Sequence, residues 1–260
     1  MRARRPSLFL FLVATSALAT APARGEMPEP GDRERQWELA RAYARFDAGR
    51  FEQALAGFEA AAREPAAPLP AETLRRWGVA ASEAGWPLAA YVRLRQYVAV
   101  EPEAADLPAL GRRIARARET LLETAVRQSR IIALAETRPS WDVPGERQVV
   151  RLVGRNGRAT VEALAGSRVT SPAWERAGAI GQEEYMALVA RLLDATAWLE
   201  EWPRQELDPN DQGPRRAVVL RLVVGEEEHV REALQGAPYE TLRELAGMVM
   251  EFAVTGRARP

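Results

Sequence analysis

One short pattern recurs at a fixed interval: Gly49 and Gly85, Ala54 and Ala90, and Phe58 and Leu94 each stand 36 residues apart. In each copy a glycine separates two stretches of helical periodicity, a small alanine follows, and a bulky residue comes one turn later. That order suits two helices that turn sharply, cross closely and fill the space behind the crossing. A repeated unit of this kind buries its apolar face against its neighbours, so the first half of the chain is expected to be an all-α array of helical hairpins.

Tyr43 and Phe46, then Phe51, Leu55 and Phe58, recur at three- and four-residue steps and line one face of each helix in the first copy. Asp47-Ala48-Gly49-Arg50 is the turn between them. In the second copy Gly85-Trp86-Pro87 turns, Pro87 suits the first turn of the next helix, and Pro102 stops it. Over Ala71 to Glu103, the pair Trp77-Gly78 with Gly85, Ala90, Leu94 and Pro102 resembles the tetratricopeptide repeat family, although Tyr97 stands where that family has a small residue. A third segment opens with Leu110-Gly111, and Ile114 to Glu136 reads as one long helical pattern that caps the array. A tetratricopeptide-like domain of two repeats and a capping helix is thus expected over 34–136. The resemblance implies a groove lined by the first helix of each repeat: Trp37 and Arg41, then Arg75, Val79 and Ser82, then Arg112 and Arg116. Its partner would be a protein or peptide, and the four arginines suit an acidic segment or a terminal carboxylate, which guanidinium grips with two hydrogen bonds.

Residues 1–23 read as a secretory signal peptide: Arg2, Arg4 and Arg5, an apolar run from Leu8 to Ala19, then Ala21-Pro22-Ala23, with cleavage after Ala19 or Ala23. The run is too short for a membrane span, so a periplasmic or secreted protein without stable membrane insertion is expected. The chain holds 36 basic and 36 acidic residues, and loss of the three leader arginines leaves it slightly acidic. Such a balance argues against general nucleic-acid binding, which needs a basic stripe. Lysine and cysteine are both absent. That removes the Schiff-base lysine, the phosphate-loop lysine, the thiolate nucleophile and the thiolate metal ligand.

Composition changes at 137–145, which brings two prolines and a glycine and reads as a linker. Beyond it, over 146–256, the period shortens. Val150 and Leu152, the Asn156-Gly157 turn, and Ala159 to Leu164 predict a hairpin. Gln182 to Leu199 predicts a helix carrying Tyr185, Leu188, Val189, Leu192, Leu193 and Thr196 on one stripe. Ala217 to Val224, a turn at Gly225 to Glu228, and His229 to Leu234 predict a second hairpin, and Pro238 opens a last helix with Leu242, Leu245, Val249 and Phe252 on one face. The expected fold is therefore an α+β domain in ββαββα order, one antiparallel sheet with helices on one face. Gly225, His229 and Val230 leading to Ala237-Pro238 are similar to emfourin-like protease inhibitors and other small bacterial α+β domains, although Val153-Gly154-Arg155 stands where emfourin-like chains carry a glycine pair. An inhibitor role is the alternative this implies.

His229 is the one imidazole, and strand alternation predicts it on the solvent face beside Arg231 and Ala233, without the nucleophile and orienting acid that catalysis needs. Asp208, Asn210, Asp211 and Gly213 resemble the start of a calcium loop, but the twelfth position is Val219 in place of a bidentate glutamate. Trp174, Trp198 and Trp202 read as closing a core rather than as an aromatic platform. No metal or cofactor is called for. The sequence is read as a non-enzymatic, exported interaction or scaffold protein; a carboxylate-dependent enzyme around Asp208 and Asp211 is the least favoured reading.

Overall fold

The computed structural model describes residues 30–62, 68–137, 146–165, 175–195, 216–234 and 237–255. Helices α1 (Pro30–Asp47), α2 (Phe51–Ala62), α3 (Ala71–Ala84), α4 (Pro87–Val100) and α5 (Leu107–Arg127) come first. The two repeated glycines end α1 and α3 in the left-handed region, at φ 70° for Gly49 and 79° for Gly85. Ala54, Phe58, Ala90 and Leu94 are fully buried behind those turns. A further 36-residue pair marks the crossings themselves. Ala42 meets Gly57, and Gly78 sits so tightly against Leu94 that an added Cβ would lie 2.6 Å from its side chain. Each helix packs on the next, and α1 also touches α3.

The expected capping helix over 114–136 is corrected. Helix α5 stops at Arg127, and Gln128–Thr137 is strand β1. Tertiary contacts account for the break. The turn after β2 supplies the amides of Asn156 and Gly157 to the carbonyls of Arg127 and Val126, at 3.1 and 3.0 Å. Ser129 Oγ donates to the Ala125 carbonyl at 2.5 Å. The last orphan acceptors of the helix are thereby satisfied, and Ser129, Ile131 and Ala133 then alternate inward as a strand.

Strand β1 lies inside a six-stranded sheet, between β2 (Glu146–Arg155) and β5 (Arg216–Val224) and antiparallel to both. The order is β4-β3-β2-β1-β5-β6, with β3 at Arg158–Ala165, β4 at Glu175–Ile180 and β6 at Glu227–Leu234. The expected two hairpins and two helices, α6 (Gln182–Asp194) and α7 (Ala237–Thr255), are present, but β1 and β4 enlarge the sheet beyond ββαββα. The sheet therefore begins at residue 128, ahead of the expected linker, of which 138–145 lie outside the described residues. Also outside them are the expected leader, Trp174, Trp198, Trp202, Thr196 and the residues around Asp208.

Helices cover one sheet face. Ile131, Ala133, Val150, Leu152, Ala159, Val161, Leu220 and Leu222 join Leu121, Leu188, Leu242 and Phe252 in a single core that continues into the helical array. Among the described residues no helix is long and apolar enough to cross a membrane.

Candidate functional site

The seven expected groove residues fall on alternate helices: Trp37 and Arg41 on α1, Arg75, Val79 and Ser82 on α3, Arg112 and Arg116 on α5. None is buried. Trp37 is 58% exposed, and the Arg41 guanidinium lies 4.3 Å over its ring. Arg41 also reaches Glu38 at 3.4 Å. Arg75 is paired within the protein. It donates to Asp106 at 2.5 Å and lies 3.6 Å from Glu72, so its charge is neutralised within the protein. The Arg75 hydrogen bond holds the Asp106 carboxyl below the usual carboxylate range, against the effect of its burial. Ser82 accepts from Arg113, which also binds Glu83 at 2.6 Å. Arg112 and Arg116 are exposed and have no acidic partner among the described residues.

A second site forms where the array meets the sheet. Helix α4 begins after Trp86 with no side-chain cap of its own, and Pro87 contributes no amide. The missing cap comes from the β5–β6 hairpin: the Glu227 carboxylate accepts from the amides of Leu88 at 3.0 Å and Ala89 at 2.8 Å. Burial raises the Glu227 carboxyl above its ordinary value, and the two amide bonds offset only part of that. At the other end of the seam Tyr91 Oη donates to the Leu193 carbonyl at 3.2 Å and to Asp194 at 3.1 Å, and Arg118 grips the same Asp194 with two bonds.

Between array and hairpin lies a cavity of ≈410 Å³, lined among others by Trp77, Trp86, Arg93, Glu226, Glu227 and His229. Trp77 stacks on Phe58, with ring centroids 6.1 Å apart, the Arg93 guanidinium lies 3.8 Å over its ring, and its buried Nε1 has no hydrogen-bond partner among the described residues. His229 is corrected. It pairs with the fully buried Leu222, which places it on the helix-covered face and in this cavity instead of toward solvent. Among the described residues that line the cavity there is no serine or threonine. Gly225, at φ 62°, makes the turn that presents Glu227. Sequence reasoning missed that glutamate because Glu226 to Glu228 reads as an ordinary turn; the signal was the uncapped start at Trp86-Pro87.

No known family, no curated protein and no solved structure matches this chain. The site is therefore read from its own residues. It comprises an exposed tryptophan on α1, two guanidinium groups on α5 without an acidic partner among the described residues, and the cavity between array and hairpin.

Proposed function

We propose that this is an exported, non-enzymatic interaction protein whose tetratricopeptide-like array holds a protein or peptide partner on the side that carries Trp37, Arg41, Val79, Ser82, Arg112 and Arg116. The observation that carries this reading is Trp37, more than half exposed with Arg41 stacked on its ring. A rigid aromatic with a guanidinium on one face offers apolar area at little entropic cost, and tryptophan and arginine dominate the energetics of protein interfaces. Arg112 and Arg116, without a carboxylate partner among the described residues, favour an acidic segment in the partner.

The test is affinity capture from periplasmic extract of the native host, with the full mature chain and its Trp37→Ala variant as parallel baits. A partner retained by the first and weakened at least about thirtyfold on the second, as truncation of an interface hot spot implies, supports the reading. Equal retention on both baits would sink it. N-terminal sequencing of the protein recovered from the periplasm tests export, with a start at Thr20 or Arg24 expected.

A further inference from the structure

The sheet face turned away from the helices carries an uneven charge. In the antiparallel register Arg130 of β1 stands opposite Val153 of β2 and Val223 of β5. Arg151 and Arg155 flank Val153 on the same face of β2, since residues two apart in a strand share a face. They are thus diagonal neighbours of Arg130, at a distance of about 7–8 Å. Arg158 faces Arg155 across the Asn156-Gly157 turn. Arg130, Arg151 and Arg155, with Arg127 at the end of α5, line a recess of ≈580 Å³ that has no acidic residue among the described residues of its lining. Arg127, Arg130, Arg155 and Arg158 have no acidic partner among the described residues. Arg151 has Glu162 of β3 directly opposite it in the register, so the like charges that converge without a described carboxylate are Arg127, Arg130, Arg155 and Arg158, which is unfavourable unless an anion compensates them. By contrast Arg221, on the same face of β5, is held by Glu228 at 2.9 Å.

Among the described residues, the connections at the recess end of the sheet are short. At this end the strands are joined by the tight turns Asn156-Gly157 and Gly225-Glu226 and by the direct passage from α5 to β1. The longer connections depart from the opposite end, where Thr137 pairs with Glu146 and with Arg216, and Gln148 pairs with Ala165. The geometry points to this recess as a binding site for a small ligand that bears two or more oxyanion groups, carboxylate or phosphate, gripped by Arg130 and Arg155 over a floor of Val153 and Val223. Its volume is that of a small-molecule site. Among the described residues of its lining there is no aromatic side chain on which a nucleic-acid base could stack.

The experiment titrates the full mature chain with pyrophosphate and, separately, with citrate by calorimetry, to distinguish phosphate from carboxylate recognition. Arg130→Gln and Arg155→Gln should each weaken the tighter of the two probes at least about tenfold, the loss expected for a charged hydrogen bond, while Arg221→Gln changes it less than about threefold. In wild-type protein the Arg130 and Arg155 Nε–H resonances should shift on titration, a readout independent of whether a variant folds. Failure of both probes to bind at millimolar concentration overturns the site, as does an equal loss with Arg221→Gln. Tighter binding of hexaglutamate or of a single-stranded oligonucleotide than of either small anion also overturns it, in favour of a macromolecular surface.

Discussion

Gly154 has no room for a side chain. A Cβ there would overlap the Ala125 carbonyl and press on Ser129 Oγ and the Tyr185 ring. Those groups form a buried polar knot, with Ser129 Oγ and Tyr185 Oη 2.6 Å apart and burial pushing the Tyr185 phenol up to about 12. Gly78 is also crowded: a Cβ there would lie 2.6 Å from the Leu94 side chain and 3.0 Å from the Leu94 backbone nitrogen, whereas at Gly154 it would come closer still to the Ala125 carbonyl oxygen. Gly78→Ala should therefore cost about 1–3 kcal/mol of stability in urea denaturation, the usual range for overpacking, and Gly154→Ala should lie at the top of that range or beyond it. A Gly154→Ala variant as stable as wild type would contradict the packing described. Glu227 makes a separate prediction. Because burial raises its carboxyl, the folded protein keeps that proton where the unfolded chain has released it. The stability it contributes is present below the ordinary glutamate value, about 4.3, and is lost as pH rises through the elevated folded value. Glu227→Gln removes this titration, so the stability of wild type relative to the variant should decline across that window; a constant difference would contradict it.

At the scale of elements, β1 decides how the chain can be divided. It is bonded on both edges, to β2 and to β5, and follows α5 without a loop. Division near residue 140, where proline and glycine suggest a linker, separates the central strand from its neighbours. Fragments 24–140 and 142–260 should each be poorly soluble, since β1, β2 and β5 would all expose unpaired edges, and co-expression should recover a soluble complex. Two independently folded fragments with native circular dichroism would contradict this. The helical hairpins were legible because Gly49, Gly85, Ala54 and Ala90 act within one repeat. The strand was not, because Ile114 to Glu136 holds apolar residues at spacings compatible with a helix, and what stops α5 is a set of amides from the turn at Asn156-Gly157, distant in sequence.

The whole molecule behaves as one body in its packing. Phe58 and Leu94 of the array belong to the same continuous core as Leu152, Leu222 and Phe252. Glu227, Tyr91 and Asp194 bind the two halves together with hydrogen bonds at both ends of the seam. Calorimetric unfolding should therefore show a single transition, and two resolved transitions would mean that the seam contributes little. Of the candidate surfaces, the proposed groove residues were named through the resemblance to the tetratricopeptide repeat family. The arginine recess was not, since Arg127, Arg130, Arg151 and Arg155 come together only once β1 and β2 are paired in register.

By itself the sequence determined what depends on neighbours along the chain: the positive-φ turns at Gly49, Gly85, Gly157 and Gly225, the small-to-large crossings of the helices, and the apolar stripes of β5, α6 and α7. The tertiary structure decided the end of α5, the central place of β1, the inward face of His229, the neutralisation of Arg75 by Asp106 and the capping of α4 by Glu227. Each of these depends on which segment satisfies another's unpaired amide, carbonyl or charge, and such partners are chosen by proximity in space, which local periodicity does not encode.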